Sequence, residues 1–256
     1  MRAALWIVVG IALSLEAAAA CPPAQACFDK GVEAFVEEDY GASGDAFEKA
    51  VEIEPDNSVY RLWLGRAWGR KAERATGFAK LGALSLAKKV RDEFAKAIEL
   101  DPKNLAAMQS LFDYYVHAPG IVGGGLDKAE AMLEQIRAVD AGAGLRAQAV
   151  VHEKNDDPAA AEEALREAVR IDPDDVGHQL SLASFLSRQG RHEESDRLFA
   201  AAPDEPETWY ARAKALIRAG RNDAEARRLL ERYLQTPLHA PDAEPYSNAR
   251  KLLKEL

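Results

Sequence analysis

The chain has 256 residues, of which 48% are hydrophobic, 29% charged and 7% aromatic, with 12 prolines. That composition excludes a disordered tail, a collagen and a multi-span membrane protein, and it leaves ample apolar side chains for a core. Lysine and arginine total 33 against 42 acids, a formal charge of −9, which argues against bulk attraction to nucleic acid or anionic lipid.

In chain order, the first element is residues 1–20. Met1 and Arg2 form a basic start, Ala3 to Leu15 run without charge, and Glu16 and four alanines precede Cys21. A membrane-spanning helix needs about 20 apolar residues to cross ~30 Å of hydrocarbon, so no span is expected. The pattern reads as a cleavable export signal cut between Ala20 and Cys21, placing the chain in the periplasm or outside the cell. Cys21 and Cys27 are the two cysteines of the chain. Three readings of them stand open: a disulfide pinning the new N-terminus, lipid attachment at Cys21 as in an envelope lipoprotein, or Cys27 as a small apolar residue of the first helix. Against lipidation stand Ala18, where a leucine-like residue is usual, and the charge of Glu16. Without a companion histidine cluster, two cysteines imply no zinc, and neither metal nor cofactor is expected.

Beyond the signal the chain repeats itself. Phe47 to Pro55 reads FEKAVEIEP, Phe94 to Pro102 reads FAKAIELDP, and Leu165 to Pro173 reads LREAVRIDP. Each has a large apolar residue, an alanine three later and a proline five after that. Leu165 and Phe199 stand 34 apart, as do Ala168 and Ala202. Small residues recur at Gly31, Gly65 and Ala183, and turn glycines at Gly190 and Gly220. A glycine or alanine lets two helices approach, the large residue fills the space beside it, and proline ends the second helix.

This pattern resembles that of the tetratricopeptide-repeat family. The resemblance implies an all-α fold, a right-handed superhelical stack of antiparallel helix pairs. About six units cover 24–237 within a repeat domain of 21–256, and a helix over 246–256 caps the stack. It also implies a concave groove, lined by the first helix of each pair, that receives a partner protein or an extended peptide. Placing the units by their prolines sets Arg70, His117, Lys154, Arg188 and Arg218 at equivalent places near the ends of successive first helices, with Arg66, Arg146 and Lys214 toward the same side and Tyr210 as an aromatic contact. A basic groove suits an acidic peptide segment or a free C-terminal carboxylate. The asparagine and lysine set of the chaperone-tail clamp is not recognisable, so that function does not carry over.

Two units depart from the period. The second carries an insertion before Phe94, and between Arg70 and Arg91 seven basic residues (Arg70, Lys71, Arg74, Lys80, Lys88, Lys89, Arg91) face one acid, Glu73. This local +6 in a chain of −9 is a second candidate surface for an acidic partner. The third unit carries Gly123-Gly124-Gly125 between its helices, followed by Asp127 as the expected cap of the next helix. A phosphate loop would follow a strand and end in Gly-Lys-Ser/Thr, and this one does neither. The five histidines are scattered, no catalytic motif is present, and the repeats consume the chain, so an enzyme is not expected. A small-ligand or enzymatic alternative would have to use His117 and the glycine-rich loop.

Overall fold

The computed structural model describes residues 23–76, 79–237 and 245–256. Among them are thirteen α-helices and no strand. Six antiparallel pairs follow one another: α1 (Ala24–Val36) with α2 (Tyr40–Ile53), α3 (Ser58–Glu73) with α4 (Ala79–Leu100), α5 (Leu105–His117) with α6 (Leu126–Val139), α7 (Ala141–Lys154) with α8 (Pro158–Ile171), α9 (Val176–Arg188) with α10 (His192–Ala201), and α11 (Pro206–Arg218) with α12 (Asp223–Gln235). A last helix, α13 (Tyr246–Leu253), follows them. The first helices also touch one another, α3 with α5, α7 with α9 and α9 with α11. The chain is therefore an all-α solenoid, as expected.

Helix starts are written in short polar side chains. Asp39, Asn57, Asn104, Asp140, Asp157, Asp175 and Asn222 each accept a backbone N–H of the first turn that they precede. Each such cap stabilises its helix by about 1 kcal/mol. Pro55, Pro102 and Pro173 lie just beyond α2, α4 and α8, where the missing N–H costs the helix nothing. Asp127 departs from expectation. Gly125, at φ 156°, precedes α6, and Asp127 falls inside its first turn, where its charge favours the helix N-terminus without capping it.

Close approach within a pair depends on the small residues. A Cβ on Gly31 would stand 2.5 Å from the Phe47 ring, and one on Gly65 would stand 2.5 Å from the Phe94 ring. Buried hydroxyls then lock the crossing. Ser43 Oγ donates to the Gly31 carbonyl at 2.9 Å, and Ser195 Oγ donates to the Ala183 carbonyl at 2.8 Å. Gly190 (φ 76°) and Gly220 (φ 61°) turn the chain between helices, while Glu38 (φ 64°) and Asp156 (φ 56°) take the same left-handed backbone in their own turns. The insertion lengthens the front of α4 to 22 residues, against 10–14 in the other second helices.

Helix α13 closes the C-terminal end on an apolar face: Ala249 is fully buried, and Leu252 and Leu253 pack beside Leu230 and Tyr233. Its charged face, Arg250, Lys251 and Lys254, is exposed. The N-terminus of α13 has no cap from its own flank. Instead the Ser247 N–H donates to Glu38 Oε1, 2.7 Å away in the first turn of the solenoid. Arg74, at the end of α3, lies 4.5 Å over the Tyr40 ring and binds both partners: the Glu38 carboxylate and carbonyl, and Ser247 Oγ at 2.6 Å. The two ends of the repeat array are thus tied by one polar clasp.

Candidate partner-binding groove

The expected basic row is present as a register. Arg70, His117, Lys154, Arg188 and Arg218 each stand in the last turn of α3, α5, α7, α9 and α11. A cation there also meets the negative end of the helix dipole, which stabilises each helix by about 0.3–1 kcal/mol. Several members are already neutralised within the chain. Arg188 Nη2 donates to both carboxylate oxygens of Glu153, at 2.7 and 2.9 Å. Arg70 pairs with Glu73 at 3.3 Å, and Arg146 with Asp175 at 3.4 Å. Arg66 lies 5.1 Å over the Trp63 ring. Lys154 and Arg218 are exposed. Tyr210 is no exposed aromatic contact: it is 7% exposed, packs at 5.4 Å on Tyr233, and carries Lys214 at 5.7 Å over its ring.

The 70–91 insertion divides in the same way. Lys71, Lys88 and Lys89 are exposed, Lys89 lying 5.3 Å from the Trp68 ring centre. Arg74 belongs to the clasp. Arg91 pairs with Asp92 at 2.6 Å and lies against Gly123, which leaves it holding the glycine turn. The side chain of Lys80 lies outside the described residues, as do Cys21 and the 1–20 segment. Cys27 is buried in α1.

The glycine-rich turn is a packed connection and no phosphate cradle. Gly120–Val122 form a single 3-10 turn, and the N–H groups of Val122, Gly123, Gly124 and Gly125 are all donated to carbonyls of Pro119, Gly120, Pro119 and Tyr115. Tyr114 Oη donates to the Val122 carbonyl at 2.8 Å, and Lys128 Nζ to the Gly123 carbonyl at 2.9 Å. A Cβ on Gly124 would stand 1.8 Å from the Ala118 carbonyl oxygen. Glycine is needed for that approach, and the amides that a phosphate would require are spent. His117 Nδ1 donates to the Asp113 carbonyl at 2.9 Å.

The central groove is a cavity of about 540 Å³ between α5, α7 and α9, open to solvent, with Phe112, Val150 and Leu180 in its lining and Asp113, Arg146, Glu153, Ser184 and Arg188 among its polar groups. No sequence motif singles out Asp113. Burial of part of the carboxyl against the groove walls pushes its pKa up, opposed by His117 one turn on, while the residue stays open to solvent at the groove mouth. A signal for it does exist in the register. Nine residues beyond the residue that precedes each first helix stand Val32, Arg66, Asp113, Ala149, Ser184 and Lys214, of which Asp113 is the one acid. Beside the groove, His178 is 3% exposed, and burial followed by the Arg146 charge hold its pKa below the usual histidine range against the pull of Asp175. Its Nδ1 stands 2.9 Å from Asp175 Oδ1 without the angle of a hydrogen bond.

Among the described residues no three or more His, Cys, Asp or Glu side chains converge as a metal site requires, and no helix is long and apolar enough to cross a membrane. Residues 24–57 and 154–217 match models of the tetratricopeptide repeat. No curated protein matches the chain. Among solved structures, TTC0263, a thermophilic TPR protein in Thermus thermophilus, is 21% identical over 82% of this chain and 97% of its own, with a TM-score of 0.53. PilF of Pseudomonas aeruginosa is 14% identical over 89% of this chain and 96% of its own, with a TM-score of 0.51. At those identities the likeness is one of fold. With tetratricopeptide-repeat models matched over two segments of this stack of helix pairs, the chain is an all-α solenoid of the tetratricopeptide-repeat type.

Proposed function

We propose that the protein is an exported, non-enzymatic scaffold, periplasmic or secreted, that holds an acidic segment of another protein along its concave groove. One observation carries this reading: five successive first helices end in a basic or potentially basic side chain at one register, beside the exposed Lys71, Lys88 and Lys89. Export rests on the pattern of residues 1–20, a basic start, an uncharged apolar run and small residues before Cys21. Single exposed ion pairs contribute ~0–1 kcal/mol, so affinity must come from several together and from the apolar floor of the groove.

The test is binding of fluorescent acidic peptides, followed by anisotropy. Affinity should fall as salt rises from about 50 to about 300 mM, because the Debye length shortens through that range. Lys154→Glu with Arg218→Glu should weaken it, since both side chains are exposed and their loss should leave the melting temperature nearly unchanged. Arg170→Glu, on a second helix, should do much less. Salt-insensitive binding, or equal losses from the two sets, would overturn the reading.

A further inference from the structure

We infer that the centre of the groove is a subsite for a basic side chain, lysine or arginine, of the bound segment, with Asp113 as its counter-ion. This rests on the groove being the partner-binding surface and adds what the partner must carry there.

Charge bookkeeping along the groove walls points to Asp113. Glu153 is taken by Arg188, and Asp175 is occupied three ways, by the His178 N–H at 2.7 Å, by Arg146 at 3.4 Å and by the nearby His178 ring. Asp113 has no ion pair or side-chain hydrogen bond among the described residues. His117, one turn away, is the titratable group that acts on its charge, and the Nδ1 of that ring is already engaged with the Asp113 carbonyl. Water reaches the carboxyl from the groove mouth. Its side chain lines the cavity beside Arg146 and Arg188, whose charges are turned to Asp175 and Glu153 instead.

The register sharpens the case. At the same place in the other first helices stand Val32, Arg66, Ala149, Ser184 and Lys214, so α5 alone of the six carries an acid there. A uniformly acidic segment would be repelled at this point, whereas one with a lysine or arginine opposite Asp113 would be held in a single register. The walls suit the aliphatic stem of such a side chain: Phe112 and Val150 border the same cavity.

Panning a phage library of short random peptides on the full chain and on Asp113→Asn tests this. Peptides selected by the unaltered chain should share a lysine or arginine at one aligned position, and those selected by Asp113→Asn should not. A selected peptide should lose about tenfold in affinity for Asp113→Asn, the scale of one charge-assisted hydrogen bond. Alanine at its basic residue should cost as much, and the two changes together no more than either alone. Asp113→Asn should melt at nearly the same temperature, since Asp113 is exposed, which separates a binding loss from misfolding. Selected peptides that lack a shared basic residue, or bind Asp113→Asn equally well, overturn the subsite while leaving the groove as the receptor. Failure of the unaltered chain to select any peptide overturns both.

Discussion

Replacing Glu38 with alanine should open the clasp that joins the two ends of the solenoid. Glu38 accepts the Ser247 N–H at the uncapped start of α13 and pairs with Arg74, and its side chain is 12% exposed against 44% for Arg74. A carboxylate at a helix N-terminus is worth about 1 kcal/mol, and the half-exposed pair adds less than another, so the clasp holds by about 1–2 kcal/mol. Alanine keeps the same backbone cost at φ 64°, so the change reports the carboxylate alone. Amide hydrogen exchange at Ser247 and Asn248 should accelerate about 5- to 30-fold. The rest of α13 should stay protected by the buried Ala249 and by the Tyr246 hydroxyl on the Thr236 carbonyl, while small-angle scattering reports a larger radius of gyration. Acid should act in the same direction. Burial alone would raise the Glu38 pKa, but the Ser247 and Arg74 hydrogen bonds outweigh it and hold it below the usual carboxylate value. A carboxylate lowered on folding stabilises above its unfolded pKa, and that contribution is lost as pH falls through the folded one. Unchanged exchange at Ser247, or acceleration spread evenly over α12 and α13, would refute the clasp as the element that closes the array.

The packing makes two more changes informative. Gly65→Ala should lower stability by about 1–3 kcal/mol in urea unfolding, because the added methyl meets the Phe94 ring at 2.5 Å; Gly82→Ala, where nothing lies within 4 Å, should not. His178 is held neutral in the fold by burial and by Arg146, with its pKa lowered, so the unfolded chain binds the extra proton first. Stability should therefore be full above about pH 6.5 and decline as pH falls below it, and His178→Gln should flatten that decline.

Much of the fold was legible because its determinants are local. The glycine opposite a phenylalanine, the Asx residue before seven of the helices and the proline beyond α2, α4 and α8 act within one pair, so a period of 34 residues exposes them. The clasp was not legible, since Glu38 and Ser247 are separated by 209 positions and meet only once the whole stack sets their distance. The cap of α6 escapes the sequence for a related reason. Asp127 has the right residue type, but the turn folds back on α5 so closely that only glycine fits at 124, and the helix starts earlier.

Charge in the groove was half legible. Register finds where the basic side chains stand, but the worth of a charge depends on what it faces across a helix boundary. Arg188 and Glu153 are 35 positions apart, each ordinary alone, and together they cancel. The same consideration turns attention to Asp113, the one acid at its place among the six first helices, whose side chain has no ion pair among the described residues. In a solenoid each first helix meets its neighbours at a nearly constant offset, so like positions in successive units are adjacent rungs. A single acidic rung is therefore a property of the surface that a partner reads in sequence order, and it fixes the register in which that partner can lie.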